Sequence, residues 1–251
     1  MQVQQYLQVP TKERSHMRSA HRRLMYVLVV IGSPTFRRIW RSRSVEQFSA
    51  APYLATLVNC MLWLLYGLPM VHPHSTWILT VNGAGLVIEL IYVLIFLGFS
   101  EGEGRLRVLL VLVAEVVFVG GASAVILVLV HSHEHRSLIA GVLCVIFGTV
   151  MYAAPLSVMR QVIKSRSVEF MPLSLSLGYL LNGLCWTTYA IIHFDPFLTI
   201  PNCLGVAFAL AQLVLHMMYR ESTARQMEER KREADQNLDM ERVKTNGGFE
   251  E

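Results

Sequence analysis

The stretch Ser42–Glu46 reads SRSVE, and Ser165–Glu169 reads SRSVE again. Behind the first copy comes NCMLWLLYGL (Asn59–Leu68), and behind the second NGLCWTTYAI (Asn182–Ile191). Asn59 and Asn182, Trp63 and Trp186, Tyr66 and Tyr189 each hold the same register to their own pentapeptide. Further on, TVNGAGLV (Thr80–Val87) answers TIPNCLGVA (Thr199–Ala207), slightly shifted. The chain is therefore one unit written twice. Each copy has a proline-bearing helix, a basic connector, a helix with Asn-x₃-Trp-x₂-Tyr, a short loop, and a helix with Asn near its start.

Composition says where such a unit lives. Of 251 residues, 53% are hydrophobic and 16% charged, against about 25% charged in soluble domains. Between Val108 and Val130 the one charged residue is Glu115, and Leu138–Met159 has none. Apolar runs of about 20 residues cross a bilayer core as helices. Seven spans are expected: a short one at Leu24–Trp40, then Ala51–Val71, Thr76–Gly98, Val108–Val130, Leu138–Arg160, Met171–Ile192 and Phe197–Tyr219. The runs are continuously apolar rather than alternating, which favours helices over a barrel. The tail from Arg220 is rich in Glu, Arg and Lys and reads as solvated, with helical character near MEERKREADQ.

The reading is an all-α polytopic membrane protein. It comprises a basic N-terminal segment (1–23), a first three-helix repeat (24–98), a linker helix with its loops (99–137), a second three-helix repeat (138–219) and a charged tail (220–251). Four spans separate equivalent points, so the copies are parallel and the fourth span is the inverting linker. Parallel repeats place a substrate site between them near the midplane.

Basic residues orient the chain. Arg37, Arg38, Arg41 and Arg43 follow the first span, Arg105 and Arg107 the third, and Arg160, Lys164 and Arg166 the fifth; the opposite connectors hold Arg136 alone. Both SRSVE copies and the tail should face the cytosol, with the N-terminus outside. Lys12, Arg14, Arg18, Arg22 and Arg23 before the first span run against that scheme. The four cysteines match no disulfide or metal spacing, and the net charge of +4 reflects orientation rather than a nucleic-acid partner. The alternate histidines of HSHEHR (His131–Arg136) lie in a short external connector without the held geometry that zinc needs. No nucleophile elbow, HExxH or phosphate-binding glycine loop is present, so neither enzyme chemistry nor a cofactor is expected.

Two pairs stand out on chemical grounds. A lone amide in a spanning helix normally bonds a neighbouring helix, for about 0.6 kcal/mol. Asn82 and Asn202 instead fall at equivalent repeat positions, and an amide's donors and acceptor suit hydroxyls that are both. Trp63 and Trp186, mid-helix and matched across the repeats, can offer flat apolar faces to a ring.

The chain resembles the SWEET sugar transporters, from about Pro34 to Tyr219. The resemblance rests on PTFRRIWRSRSVEQFSAAPYLATLVNCMLWLLYGLP, TVNGAGLVIE, MYAAPLSVMRQVIKSRSVEFMP, LNGLCWTTYA and DPFLTIPN, and LYGLPMVHPHST looks closest to plant hexose-type members. It implies seven transmembrane helices arranged 3+1+3, with sugar bound by Asn82 and Asn202 and flanked by Trp63 and Trp186. A bulky Trp63 would narrow the cavity toward a monosaccharide such as glucose. It also implies an extracellular gate at Tyr66 and Asp195, and hinges at Pro52, Pro155 and Pro172; the fourth hinge position falls on Gly32. Glu89 and Glu115 lie in spans, where ionisable groups are costly, but neither has an evident basic partner, so a proton-independent uniporter is expected. The further expectations are a plasma-membrane homo-oligomer in the lipid bilayer. The rivals are a transport-inactive or regulatory isoform, because Leu24–Ser33 replaces most of the family's first helix, and a seven-span receptor.

Overall fold

The computed structural model describes residues 34–45, 48–73 and 75–247. These form eight α-helices, and no β-strand is present among the described residues: α1 (Pro34–Ser42), α2 (Ala51–Gly67), α3 (Thr76–Phe99), α4 (Gly102–Ala124), α5 (His133–Val150), α6 (Ala153–Ser165), α7 (Leu173–Ile192) and α8 (Pro196–Gly247). A π-helical turn, Val125–Leu129, extends α4. Among the described residues five stretches are long and apolar enough to cross a membrane, and Ala51–Gly67 is a shorter apolar helix. The expected first span lies mostly outside the described residues. The chain divides into two compact units, 1–140 and 141–251.

Three expected spans change shape, each for a local reason. The second stops at Gly67, because Leu68 turns to extended backbone just ahead of Pro69, as a residue before proline tends to. The fifth is broken. Pro155 has no N–H for the Met151 carbonyl, and the Tyr152 N–H bonds Thr149 O at 3.0 Å instead. The seventh does not stop at Tyr219: α8 runs unbroken through the polar tail to Gly247.

Within the first unit α2 packs chiefly on α3, with α4 against both; within the second α7 packs chiefly on α8, with α6 alongside. The two SRSVE connectors are built alike. Arg43 and Arg166 both adopt left-handed backbone, with φ 56° and 51°, the conformation that commonly ends a helix. Ser42 Oγ donates to Ser44 O at 3.0 Å, and Ser165 Oγ to Ser167 O at 3.4 Å. The apolar anchors match as well. Ile39, Val45 and Phe48 pack in one cluster with Phe36, Leu54, Val93 and Phe96; Val162, Val168 and Met171, at the same register, pack with Val158, Leu215 and Tyr219.

The connectors differ in one respect. Beyond Tyr219, α8 holds the second copy with its polar side chains: the Val168 N–H donates to Thr223 Oγ1 at 2.8 Å, and Gln226 Nε2 donates to Ser165 O at 3.2 Å. Arg230 pairs with Glu169 through bonds of 2.6 and 3.5 Å. Hydrogen bonding to Glu169, and then its charge, holds the Arg230 guanidinium even higher than usual. In the first unit α3 ends at Phe99, where Arg105 Nε donates to Leu97 O at 2.8 Å.

Candidate functional site

The residues of interest fall in the two units, and each half builds its own set. In the first, Asn82 lies two turns into α3, half-buried. Its Nδ2 donates to Ile78 O at 2.9 Å, one turn back. Asn202 does the same in α8, donating to Leu198 O at 2.8 Å. One N–H of each amide is thus anchored to its own helix, which fixes the rotamer. Its carbonyl oxygen and second N–H keep no protein partner among the described residues.

Each tryptophan belongs to an aromatic triad. Trp63 stands edge-on to Tyr66, with ring centres 5.5 Å apart, and Tyr66 stacks on His72 at 4.6 Å. Trp186 stands edge-on to Tyr189 at 5.8 Å, and Tyr189 stacks on His193 at 4.1 Å. The halves are not equally open: Trp63 and Tyr66 are buried, at 7% and 0% exposure, whereas Trp186 and Tyr189 are half-buried. The histidines arrive by different routes, His72 from a loop held to Ser137 Oγ at 2.8 Å and His193 from the turn after α7.

Asp195 sits where α8 begins, 3% exposed. Its Oδ1 accepts the N–H groups of Phe197 and Leu198 at 3.0 and 3.1 Å, which makes it the helix N-cap. Serine serves as well there, and alanine costs about 1 kcal/mol. Asp195→Ala is therefore expected to lower the melting midpoint of the purified chain by about 2–4 °C and Asp195→Ser to leave it in place, as a thermal unfolding scan checks. Equal losses would assign Asp195 a duty that needs its charge.

The prolines occupy three settings. Pro52 is in the first turn of α2, where its missing N–H breaks no helical bond. Pro172 precedes α7 in extended backbone. Pro155 follows the break between α5 and α6. A further proline, Pro201, sits inside α8 next to Asn202, and Tyr152, at the break, donates a hydrogen bond to the Pro201 carbonyl. Sequence reading singled out neither residue, although a tyrosine three places before a proline in an uncharged span was the available sign.

From the first turn of α5, Arg136 donates to Val130 O, Leu127 O and Met70 O at 2.6, 3.0 and 3.0 Å, tying the π-helical end of α4 to the loop after α2. Glu89 and Glu115 each keep one buried carboxyl oxygen without a partner among the described residues. No cluster of metal ligands occurs among the described residues. A crevice of about 360 Å³ between α2, α3 and α4 is lined by Met61, Leu64, Leu65, Leu68, Leu79, Val119 and Ser123. It is nearly all apolar and includes none of the paired residues.

Comparison with known proteins identifies the family. The model of a family described as sugar efflux transporter for intercellular exchange matches residues 24–103 and 138–224. Bidirectional sugar transporter SWEET4 of Oryza sativa subsp. japonica is 58% identical over 210 residues, which are 83% of this chain and 81% of that protein. Bidirectional sugar transporter SWEET7 of Arabidopsis thaliana is 48% identical over 199 residues, covering 79% and 77%. A solved eukaryotic SWEET transporter superposes with a TM-score of 0.73 at 34% identity, covering 78% of this chain and 93% of its own. With apolar helices long enough to cross a bilayer and a match over most of its length, the chain is an integral membrane protein that belongs to the SWEET family of sugar transporters, not enzymes.

Proposed function

We propose that this chain is a facilitative, bidirectional hexose carrier of the plasma membrane, working by alternating access without an energy source. The observation that carries the reading is the pair of amides. Each is anchored one turn back by one N–H, each presents its remaining polar atoms, and they stand at matching positions of two repeats in a chain 58% identical to a bidirectional sugar transporter. In this reading seven helices form two parallel three-helix repeats (24–98 and 138–219) around the linker 99–137, with the N-terminus outside and the tail 220–251 in the cytosol. Sugar lies between the repeats on Asn82 and Asn202, between Trp63 and Trp186. Tyr66 and Asp195 close the outer mouth, and Pro52, Pro155 and Pro172 let the bundles rock. The chain works as a homo-oligomer. The family match from residue 24 onward supports a carrier over a transport-inactive isoform.

The test is radiolabelled glucose uptake in cells lacking hexose carriers, beside a version given a family-type first helix at matched abundance. Saturable uptake by both, unchanged by a proton uncoupler at constant glucose gradient, is expected. Uptake by the repaired version alone would make this chain the inactive isoform. Glu89 and Glu115 provide a second check, since proton coupling would need an intramembrane carboxylate. The double variant Glu89→Gln, Glu115→Gln is expected to transport at the parent rate with an unaltered pH profile. A loss of pH dependence in that variant would point to a proton-coupled carrier instead.

A further inference from the structure

We propose that Tyr152 is a positioning residue that couples the break in the fifth span to the turn of α8 carrying Asn202. The inference rests on Asn202 being a sugar ligand. Between α5 and α6 the chain passes through Met151 and Tyr152, where the Tyr152 N–H turns to Thr149 O, three residues back, and Pro155 supplies no N–H for the Met151 carbonyl to accept. Such a junction changes angle more easily than a continuous helix. From it the Tyr152 hydroxyl donates to the carbonyl of Pro201, the residue immediately before Asn202. Pro201 in turn lacks the N–H that would bond Phe197 O, so this turn of α8 is itself softened.

The surroundings are shaped for that contact. The Tyr152 ring packs on Phe208 of α8, with centres 5.2 Å apart. Beneath the hydroxyl lies Gly205, where a Cβ would come 2.6 Å from the phenol oxygen and 3.5 Å from the ring carbon bearing it. Glycine at this position admits the hydroxyl, and any side chain there displaces it. On the other side of the same turn, a Cβ on Gly183 of α7 would lie 3.5 Å from Asn202 O, so α7 also presses close. A tyrosine in a spanning helix is ordinarily a packing residue. Here its hydroxyl links two proline-weakened points, and a glycine makes room for it. A change of angle at Met151–Tyr152 therefore pulls on the Pro201 carbonyl and shifts the backbone from which the Asn202 amide projects.

The experiment uses the full chain in lipid nanodiscs and proteoliposomes, with glucose as the probe. Equilibrium binding and the maximal transport rate per molecule are measured for Tyr152→Phe, which keeps the ring and its contact with Phe208. Binding within about twofold of the parent, with a maximal rate lower by about fivefold, is expected for one hydrogen bond lost from the conversion between states. Gly205→Ala, which keeps Tyr152 but expels its hydroxyl, should behave the same way. The double variant should be no slower than either single one, because the two changes remove one interaction. An unchanged rate in Tyr152→Phe, a loss of binding in step with the loss of rate, or fully additive single effects would each overturn the coupling. Asn202→Ala, measured alongside, separates the two readings. If it still binds glucose normally, the sugar site itself is wrong; if it loses binding while Tyr152→Phe transports normally, only the coupling fails.

Discussion

Cells expressing the double variant Asn82→Ala, Asn202→Ala are expected to take up no glucose above background while carrying as much protein in the membrane as the parent. The structure separates the two effects. Each amide makes one bond to its own helix backbone, and side-chain hydrogen bonds inside membranes average about 0.6 kcal/mol, so folding loses little. Toward a sugar each amide still offers an N–H and a carbonyl oxygen. Two bonds from each, at about 1 kcal/mol per bond, make a combined loss of about 4 kcal/mol, roughly a thousandfold in affinity. Each single variant should fall between parent and double. Parent-level uptake by the double variant would remove both residues from the site.

Trp63→Ala is expected to change which sugar is carried, and to cost stability in doing so. The indole is 7% exposed and braced edge-on by Tyr66. Truncating so buried a ring costs about 3–5 kcal/mol, so membrane abundance should drop visibly. The molecules that remain have an indole's volume of free space beside the first-unit half of the proposed site. Uptake of sucrose relative to glucose should rise by about tenfold or more, the usual yield of relieving one steric contact in a pocket. Trp63→Phe keeps an aromatic face and should keep the parent's preference. An unaltered sucrose-to-glucose ratio in Trp63→Ala would show that another side chain limits the cavity.

Much of the architecture was written in the hydropathy. Thr76–Gly98 became Thr76–Phe99, and Met171–Ile192 became Leu173–Ile192, because uninterrupted apolar runs have sharp ends. The repeat was legible too, since matched Asn, Trp and Tyr positions do not arise from composition. The break before Pro155 was half legible: the proline announced it, but which carbonyl would be stranded depends on the path of the chain. The hold of Thr223, Gln226 and Arg230 on the second SRSVE was not legible. It joins residues about sixty places apart through polar side chains that look, in sequence, like any solvated charged tail. Tyr152 escaped for a related reason, because its meaning depends on Pro201 and Gly205, some fifty residues on. Of the first span, read as Leu24–Trp40, the part at Leu24–Ser33 falls outside the described residues.

The unbroken run of α8 has a mechanical consequence. At about 1.5 Å per residue, its 52 residues make a rod of about 78 Å, of which the part after Tyr219 projects about 40 Å. A rod of that kind is a pointer. Any tilt of its apolar half is magnified at the far end, where ten degrees becomes a sweep of about 7 Å over the projecting length. A fluorophore on the exposed Met240, its distance read to acceptors at the lipid surface, would therefore register as a dial any tilt of the helix that carries Asn202, without anything attached near that residue.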